Sequence, residues 1–110
     1  MPLNSAAVLV LQGDARHANA LIIAIGDANG DVVCAANSVE ALQRLQQYRF
    51  QAAVIDWDAG ADGVAAELHA QGVPFCVYGV PASGSAAPIG KPVFVTEVEQ
   101  VVPVLAMLVR

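Results

Sequence analysis

Short apolar runs alternate along the chain with longer segments in which apolar residues recur every three or four positions. The first run, residues 6–11, is continuous and is closed by Gly13, which is typical of a strand buried on both faces. Runs of the same kind follow at 31–36, 51–55 and 74–78, with a short one around Ile89. The pattern therefore predicts a sheet of five short strands.

The segments between these runs have the spacing of amphipathic helices. Asp14 can cap the first helix, which we expect to extend to about Ile25 and to end in the turn at 26–30. Further helices are predicted at 38–47, 62–71 and 96–109. Since a helix separates most consecutive strands, the sequence predicts right-handed βαβ units around a parallel sheet, in one domain spanning residues 1–110.

Two features mark the last predicted helix. Thr96 and Glu99 have the spacing of a capping box, so the helix should begin there. Pro103 lies inside it and has no backbone N–H to donate, so we expect a kink or a split at this position.

The composition favours a large buried core and argues against two classes of partner. Hydrophobic residues make up 56% of the chain and the mean hydropathy is +0.55. The net charge is −5, and the five lysines and arginines are scattered, so we expect neither nucleic acid nor a membrane surface as a partner. The apolar stretch at 101–109 is too short to span a bilayer, and the first residues lack the basic region of a secretory signal.

Functional groups of open parallel sheets gather where the strands end, so three loops are candidates for chemistry. The first contains Gln12 and Asp14, the second contains Asp56 and Asp58, and the third contains Lys91. A sheet of this kind is expected to bring the Asp56 carboxylate and the Lys91 ammonium to the same edge.

These loops, in this order, resemble those of response-regulator receiver domains of two-component signalling, and the resemblance covers nearly the whole chain. The matching motifs are Val54-Ile55-Asp56, Asp56-Trp57-Asp58, Asp62-Gly63, Val73-Pro74-Phe75 and Lys91-Pro92. The resemblance implies a flavodoxin-like, CheY-like three-layer α/β sandwich with a five-stranded parallel sheet in the order 2-1-3-4-5. It also implies that Asp56 is the phosphoacceptor and that Lys91, after the fifth strand, lies beside the phosphoryl oxygens or pairs with the Asp56 carboxylate.

The metal-binding acids of this family are incomplete here. Active receivers carry two adjacent acids after the first strand, which hold Mg²⁺ with the acceptor aspartate, whereas this chain has Gln12 and Gly13. Asp14, one position later, can serve as a helix N-cap or, after a local shift, as a metal ligand with Asp56 and the backbone carbonyl of Asp58. Mg²⁺ is the one cofactor that the resemblance implies, and the missing acids argue against the usual site.

The region after the fourth strand also departs from the family. Receivers have Ser or Thr at the end of that strand, where this chain reads Val77-Tyr78-Gly79. Residues 79–91 are too few for the usual fourth helix and the start of the fifth strand, so we expect that helix to be shortened or missing.

Cys34 and Cys76 both lie in apolar runs, which predicts two buried, reduced thiols and a cytoplasmic location. They fall on the second and fourth predicted strands, which the expected strand order keeps apart, so we predict no disulfide.

Three functions are considered. The first is a degenerate receiver that is not an enzyme and acts by protein–protein interaction, docking on another signalling protein or forming a homodimer through the apolar last helix. The second is a receiver that accepts a phosphoryl group on Asp56 from a histidine kinase or phosphotransfer protein, with a weak Mg²⁺ site. The third is a flavodoxin-like cofactor binder, which is disfavoured because no Ser/Thr/Gly-rich phosphate loop follows the first strand.

Overall fold

The computed structural model describes residues 6–12, 15–56, 61–78, 93–95 and 97–109. Strands and helices alternate in the order β1 Ala7–Leu11, α1 Ala15–Asp27, β2 Asp31–Ala35, α2 Ser38–Gln47, β3 Ala52–Asp56, α3 Ala61–Gln71, β4 Phe75–Tyr78, β5 Val93–Val95 and α4 Val98–Leu108. All strand pairs are parallel, and the order across the sheet is β2-β1-β3-β4-β5. The predicted α/β class and strand order are confirmed.

Helices cover both faces of the sheet and form a three-layer sandwich. Leu9 and Leu11 of β1 belong to a core cluster with residues of α2 and α3, whereas Val8 and Val10 belong to a cluster with residues of α1 and α4. All four side chains are 0% exposed. The continuous apolar run of β1 follows from this arrangement, because successive side chains point into opposite cores.

Two of the helices are followed by a residue whose backbone lies in the left-handed region. Asn29 after α1 has φ 66° and Gly72 after α3 has φ 72°. At each end the left-handed residue and the residue after it donate backbone hydrogen bonds to the last turn of the helix. After α1, Asn29 N–H donates to the Gly26 carbonyl at 3.0 Å and Gly30 N–H to the Ile25 carbonyl at 2.9 Å. After α3, Gly72 N–H donates to the His69 carbonyl at 3.1 Å and Val73 N–H to the Leu68 carbonyl at 2.9 Å. This pairing is the Schellman motif, which satisfies carbonyl groups that the helix itself leaves without donors.

The N-cap of the last helix lies one residue later than the sequence predicted. The capping pair is Glu97 and Gln100, with the Glu97 N–H donating to Gln100 Oε1 at 3.3 Å, so the predicted pair of Thr96 and Glu99 is wrong. Strand β5 continues to Val95 and Glu97 keeps extended backbone angles, which moves the start of the helix. The helix runs through Pro103 without being split, with Pro103 on its exposed side.

The fifth strand lies later in the sequence than predicted. It is Val93–Val95, paired with β4, whereas the sequence favoured the region of Ile89. The physical reason is that, between residues 79 and 95, β-branched and aromatic residues are adjacent only at 93–95, whereas Ile89 stands between proline and glycine. Residues 79–92 lie outside the described part of the chain, and so does the predicted shortening or loss of the fourth helix.

The two cysteines have different surroundings. Cys76 is buried in β4, as predicted. Cys34 is exposed and its predicted burial is wrong, because β2 is an edge strand of the described sheet and has a neighbouring strand on one side only. Both are reduced, which confirms the predicted absence of a disulfide. Three strand spacings of about 4.8 Å separate β2 from β4, more than a disulfide can bridge.

None of the helices in the described ranges is long and apolar enough to cross a membrane.

Candidate functional site

Three polar residues lie side by side where β1, β3 and β4 end. Leu11 is paired with Ile55, so the next residue, Gln12, is level with Asp56, and Asp56 is itself paired with Tyr78. Paired residues of parallel strands share a face, and here it is the face covered by α1 and α4. We call Gln12, Asp56 and Tyr78 the carboxyl-end row. Neighbouring strands are about 4.8 Å apart, so adjacent members of the row are within reach of each other.

Gln12 stands at the buried end of this row. It is 4% exposed, and it is the one buried polar residue within the described ranges. Its backbone N–H donates to the Ala35 carbonyl at 3.0 Å, which extends the ladder between β1 and β2 by one residue. The Nε2 atom has no acceptor among the described residues, although the residue makes another contact. A neutral amide tolerates this burial better than a carboxylate, whose charge costs far more to remove from water.

Asp56 is the last residue of β3. The four residues before it are fully buried, and Asp56 itself is half-buried. The core therefore fixes the backbone immediately behind the carboxylate, while solvent reaches the carboxylate from the end of the strand. The prediction that the apolar run stops at an acid on the carboxyl edge is confirmed for Asp56.

Tyr78 is a member of the row that the sequence did not assign a role. It is half-buried at the end of β4 and packs against the core cluster of α1 and α4. Its phenol can donate or accept a hydrogen bond next to the carboxylate of its paired residue, Asp56. The sequence showed that Ser or Thr is replaced here, but only the strand register shows that Asp56 is the neighbour.

The remaining predicted site residues are outside the described part of the chain. They are Gly13, Asp14, Asp58 and Lys91. Lys91 and Pro92 precede β5, whereas the resemblance implied that the Lys-Pro pair follows the fifth strand. The roles of Lys91 as carboxylate partner and of Asp14 and Asp58 as metal ligands therefore stay predictions.

The oxygen donors of the row do not fit the usual Mg²⁺ site. Asp56 contributes one carboxylate and Gln12 contributes one neutral amide oxygen, so the row brings a single negative charge to a divalent ion that prefers hard oxygen ligands. The described residues contain no group of three or more His, Cys, Asp and Glu that could hold a metal, and Asp14 and Asp58 are not among them. Within the row, the neighbours of the Asp56 carboxylate are an amide and a phenol, both uncharged.

Comparisons with known proteins identify the fold. No family model matches the chain, and no curated protein matches it. Among solved structures, 93 chains match. The doubly wound parallel sheet described above is thus shared with many structures despite low sequence similarity.

The matching structures include receiver domains from several bacteria. The receiver domain of the Francisella response regulator 1452 has a TM-score of 0.80 and 17% identity, over 94% of this chain and 96% of that one. The Vibrio cholerae chemotaxis protein CheY4 has a TM-score of 0.79 and 20% identity, over 94% and 98%. A two-component response regulator from Clostridium difficile has a TM-score of 0.80 and 10% identity, over 96% of each chain. The chain therefore has the fold of response-regulator receiver domains, which confirms the predicted CheY-like architecture.

Proposed function

We propose that this chain is a receiver-type module of two-component signalling that acts by protein–protein interaction and has an impaired capacity for Mg²⁺-dependent phosphorylation. The observation that carries the proposal is the carboxyl-end row, in which one carboxylate, Asp56, stands between the amide of Gln12 and the phenol of Tyr78. The fold supplies the place for a phosphoacceptor, and the two residues beside Asp56 in the row are uncharged.

The physical reason concerns charge. A phosphoryl group approaching Asp56 brings negative charge toward a carboxylate, and two like unit charges 4 Å apart repel by about 4 kcal/mol at an effective dielectric constant of 20. A bound Mg²⁺ supplies the positive charge that relieves this repulsion. With Gln12 and Gly13 in place of the acid pair, the chain holds such an ion weakly, and the repulsion opposes phosphorylation.

Lys91 is the proposed source of compensating charge. Its ammonium, paired with the Asp56 carboxylate, would neutralise the site without a metal. This assignment rests on the Lys91-Pro92 motif in the sequence. The ion pair lowers the demand for Mg²⁺ further, so it is consistent with an interaction module.

The alternative is a working phosphorelay receiver. Its support is the position of Asp56, half-buried and at the carboxyl end of β3, where an incoming phosphodonor can reach it. Asp14, Asp56 and the carbonyl of Asp58 would then form a weak Mg²⁺ site, and a histidine kinase or phosphotransfer protein would be the donor.

One experiment separates the two functions. The chain is incubated with a small acyl-phosphate donor and Mg²⁺, and its intact mass is compared with that of the Asp56→Asn variant. We expect no phosphoryl mass increment in either protein. An increment in the native chain that is lost in Asp56→Asn would establish the phosphorelay receiver instead.

The partners proposed are other signalling proteins, which would bind through α4. This helix has one charged residue, Glu99, and its Met107 side chain is 59% exposed, so its outer side is short of the charges typical of a solvated helix. With a net charge of −5, nucleic acid and anionic membranes are not proposed as partners. We also propose a cytoplasmic location and no enzymatic activity.

A further inference from the structure

Strand β2 lies at one edge of the sheet, and some of its backbone N–H and C=O groups point away from the sheet. The Asp31 N–H donates to the Ala6 carbonyl at 2.9 Å, and the Ala35 carbonyl accepts from Gln12 N–H at 3.0 Å. In a parallel ladder, alternate residues of a strand bond to the same neighbour, so Asp31, Val33 and Ala35 face β1. The N–H and C=O groups of Val32 and Cys34 therefore point to the side where the described part of the chain places no further strand.

This edge carries few of the features that prevent edge-to-edge pairing. Proteins usually protect an edge with lysine, proline, a bulge or inward-pointing charge. In β2 the one charged residue is Asp31 at its start, and there is no lysine or proline. Val32 and Val33 are half-buried and Cys34 is exposed, so the strand offers β-branched and small side chains to a partner strand.

We propose that β2 pairs with β2 of a second copy, antiparallel, about a two-fold axis that passes through Val33. The two outward-facing residues, Val32 and Cys34, lie symmetrically about Val33. Antiparallel pairing around that point sets each Val32 opposite Cys34 of the other copy, and each such pair exchanges two hydrogen bonds. A shift of one residue would set outward-facing groups against inward-facing ones, and a shift of two residues would leave one hydrogen-bonded pair within the strand in place of two, so pairing about Val33 is favoured.

The side chains favour a second copy of this chain as the occupant of the edge. Val33 would lie opposite Val33 of the other copy in a non-hydrogen-bonded pair, where side chains approach most closely. Val33 packs against the core of α2 and α3, and Val32 packs against the core of α1 and α4, so the pairing would continue both cores across the interface. Asp31 would lie opposite Ala35, which keeps the two carboxylates apart in a chain of net charge −5.

The proposed β2–β2 interface is separate from the surface of α4. Two variants of Val32 test whether β2 forms the dimer. Val32→Pro removes an outward N–H that β1 does not use, and proline is tolerated on the open side of an edge strand. Val32→Thr keeps the N–H and the β-branched shape, and serves as the matched control. Multi-angle light scattering and sedimentation equilibrium of the full chain, under reducing conditions, give the dimer dissociation constant.

We expect the native chain and Val32→Thr to dimerise with similar dissociation constants and Val32→Pro to dimerise at least ten-fold more weakly. Cys34→Lys, which places a charge on the edge, should have the same effect as Val32→Pro and covers the case in which the proline variant does not fold. Met107→Lys, on α4, should leave the dimer intact. A native chain that stays monomeric, or a dimer that Met107→Lys abolishes while Val32→Pro and Cys34→Lys leave it unchanged, would overturn the proposal.

Discussion

At the scale of single residues, the position of each cysteine in the sheet determines its chemistry. Cys76 lies on β4 between neighbouring strands and is 0% exposed. Burial disfavours the thiolate and raises the pKa of Cys76 from 9.0 to about 12. Cys34 on the outermost strand is exposed, and partial burial raises its pKa in the same direction.

Cys76 gives the chain a pH dependence at alkaline pH. Between pH 9.0 and about 12 the unfolded chain loses the Cys76 proton while the folded chain keeps it. The free energy of unfolding should therefore decrease as pH rises through this window, by up to about 1.4 kcal/mol per pH unit from this group. Urea unfolding at a series of pH values measures the slope. Cys76→Ala should reduce it, and Cys34→Ser is the matched control that should change it less. Equal slopes for Cys76→Ala and the native chain would contradict this account.

The sequence located some residues of the site and could not locate others. Asp56 was predictable because it ends an apolar run, and that ending is visible in the order of residues alone. The burial of Gln12 and the pairing of Tyr78 with Asp56 depend on which strands are neighbours and in which register. Cys34 was wrongly predicted to be buried, because an apolar run in the sequence does not distinguish an edge strand from a central one.

At the scale of elements, two helices end on residues in the left-handed region. Gly72 reaches φ 72° without steric cost, and Asn29, at φ 66°, is one of the few other residue types that adopt this region readily. Each turn directs the chain from a helix into the next strand, so the glycine and the asparagine help to set where β4 and β2 begin.

Alanine substitutions of two glycines, one inside a helix and one directly after a helix, should change stability in opposite directions. Gly72→Ala places a Cβ on a residue with φ 72° and should lower the free energy of unfolding by about 1–2 kcal/mol. Gly26 has negative φ inside α1, and nothing lies within 4 Å of an added Cβ, so Gly26→Ala should raise stability by about 0.5–1 kcal/mol. Chemical denaturation of the two variants measures both effects. Destabilisation of equal size in both would show that the backbone angle is not the cause.

Element boundaries were harder to predict than the elements themselves. Strand β5 was expected near Ile89 and lies at Val93–Val95, and the capping pair of α4 is Glu97 and Gln100. The two errors share a cause: moving the strand along the chain also moves the start of the helix that follows it. Glu97, Glu99 and Gln100 all have acidic or amide side chains, so more than one capping register satisfied the sequence pattern.

At the scale of the whole molecule, the alternation of strands and helices was sufficient to predict βαβ units around a parallel sheet, and the resemblance to receiver domains implied the three-layer sandwich and the strand order. Helices on both faces require central strands that are apolar throughout, and β1, β3 and β4 meet this requirement. Because the crossover connections between parallel strands are short and right-handed, few strand orders remain possible. The sequence could not show that β2 forms an edge with outward backbone groups, because that follows from the ladder and not from residue type.

The central claim is that the site around Asp56 lacks the acids needed to hold Mg²⁺. Titration of the native chain with Mg²⁺, followed by amide NMR chemical shifts, tests it most directly when compared with a double variant, Gln12→Asp with Gly13→Asp, that restores the acid pair. Circular dichroism first confirms that the variant is folded, because Gln12 is buried. We predict no saturable shift at Asp56 in the native chain and a saturable shift in the double variant that Asp56→Asn removes. Saturable binding by the native chain that Asp56→Asn abolishes would contradict the account.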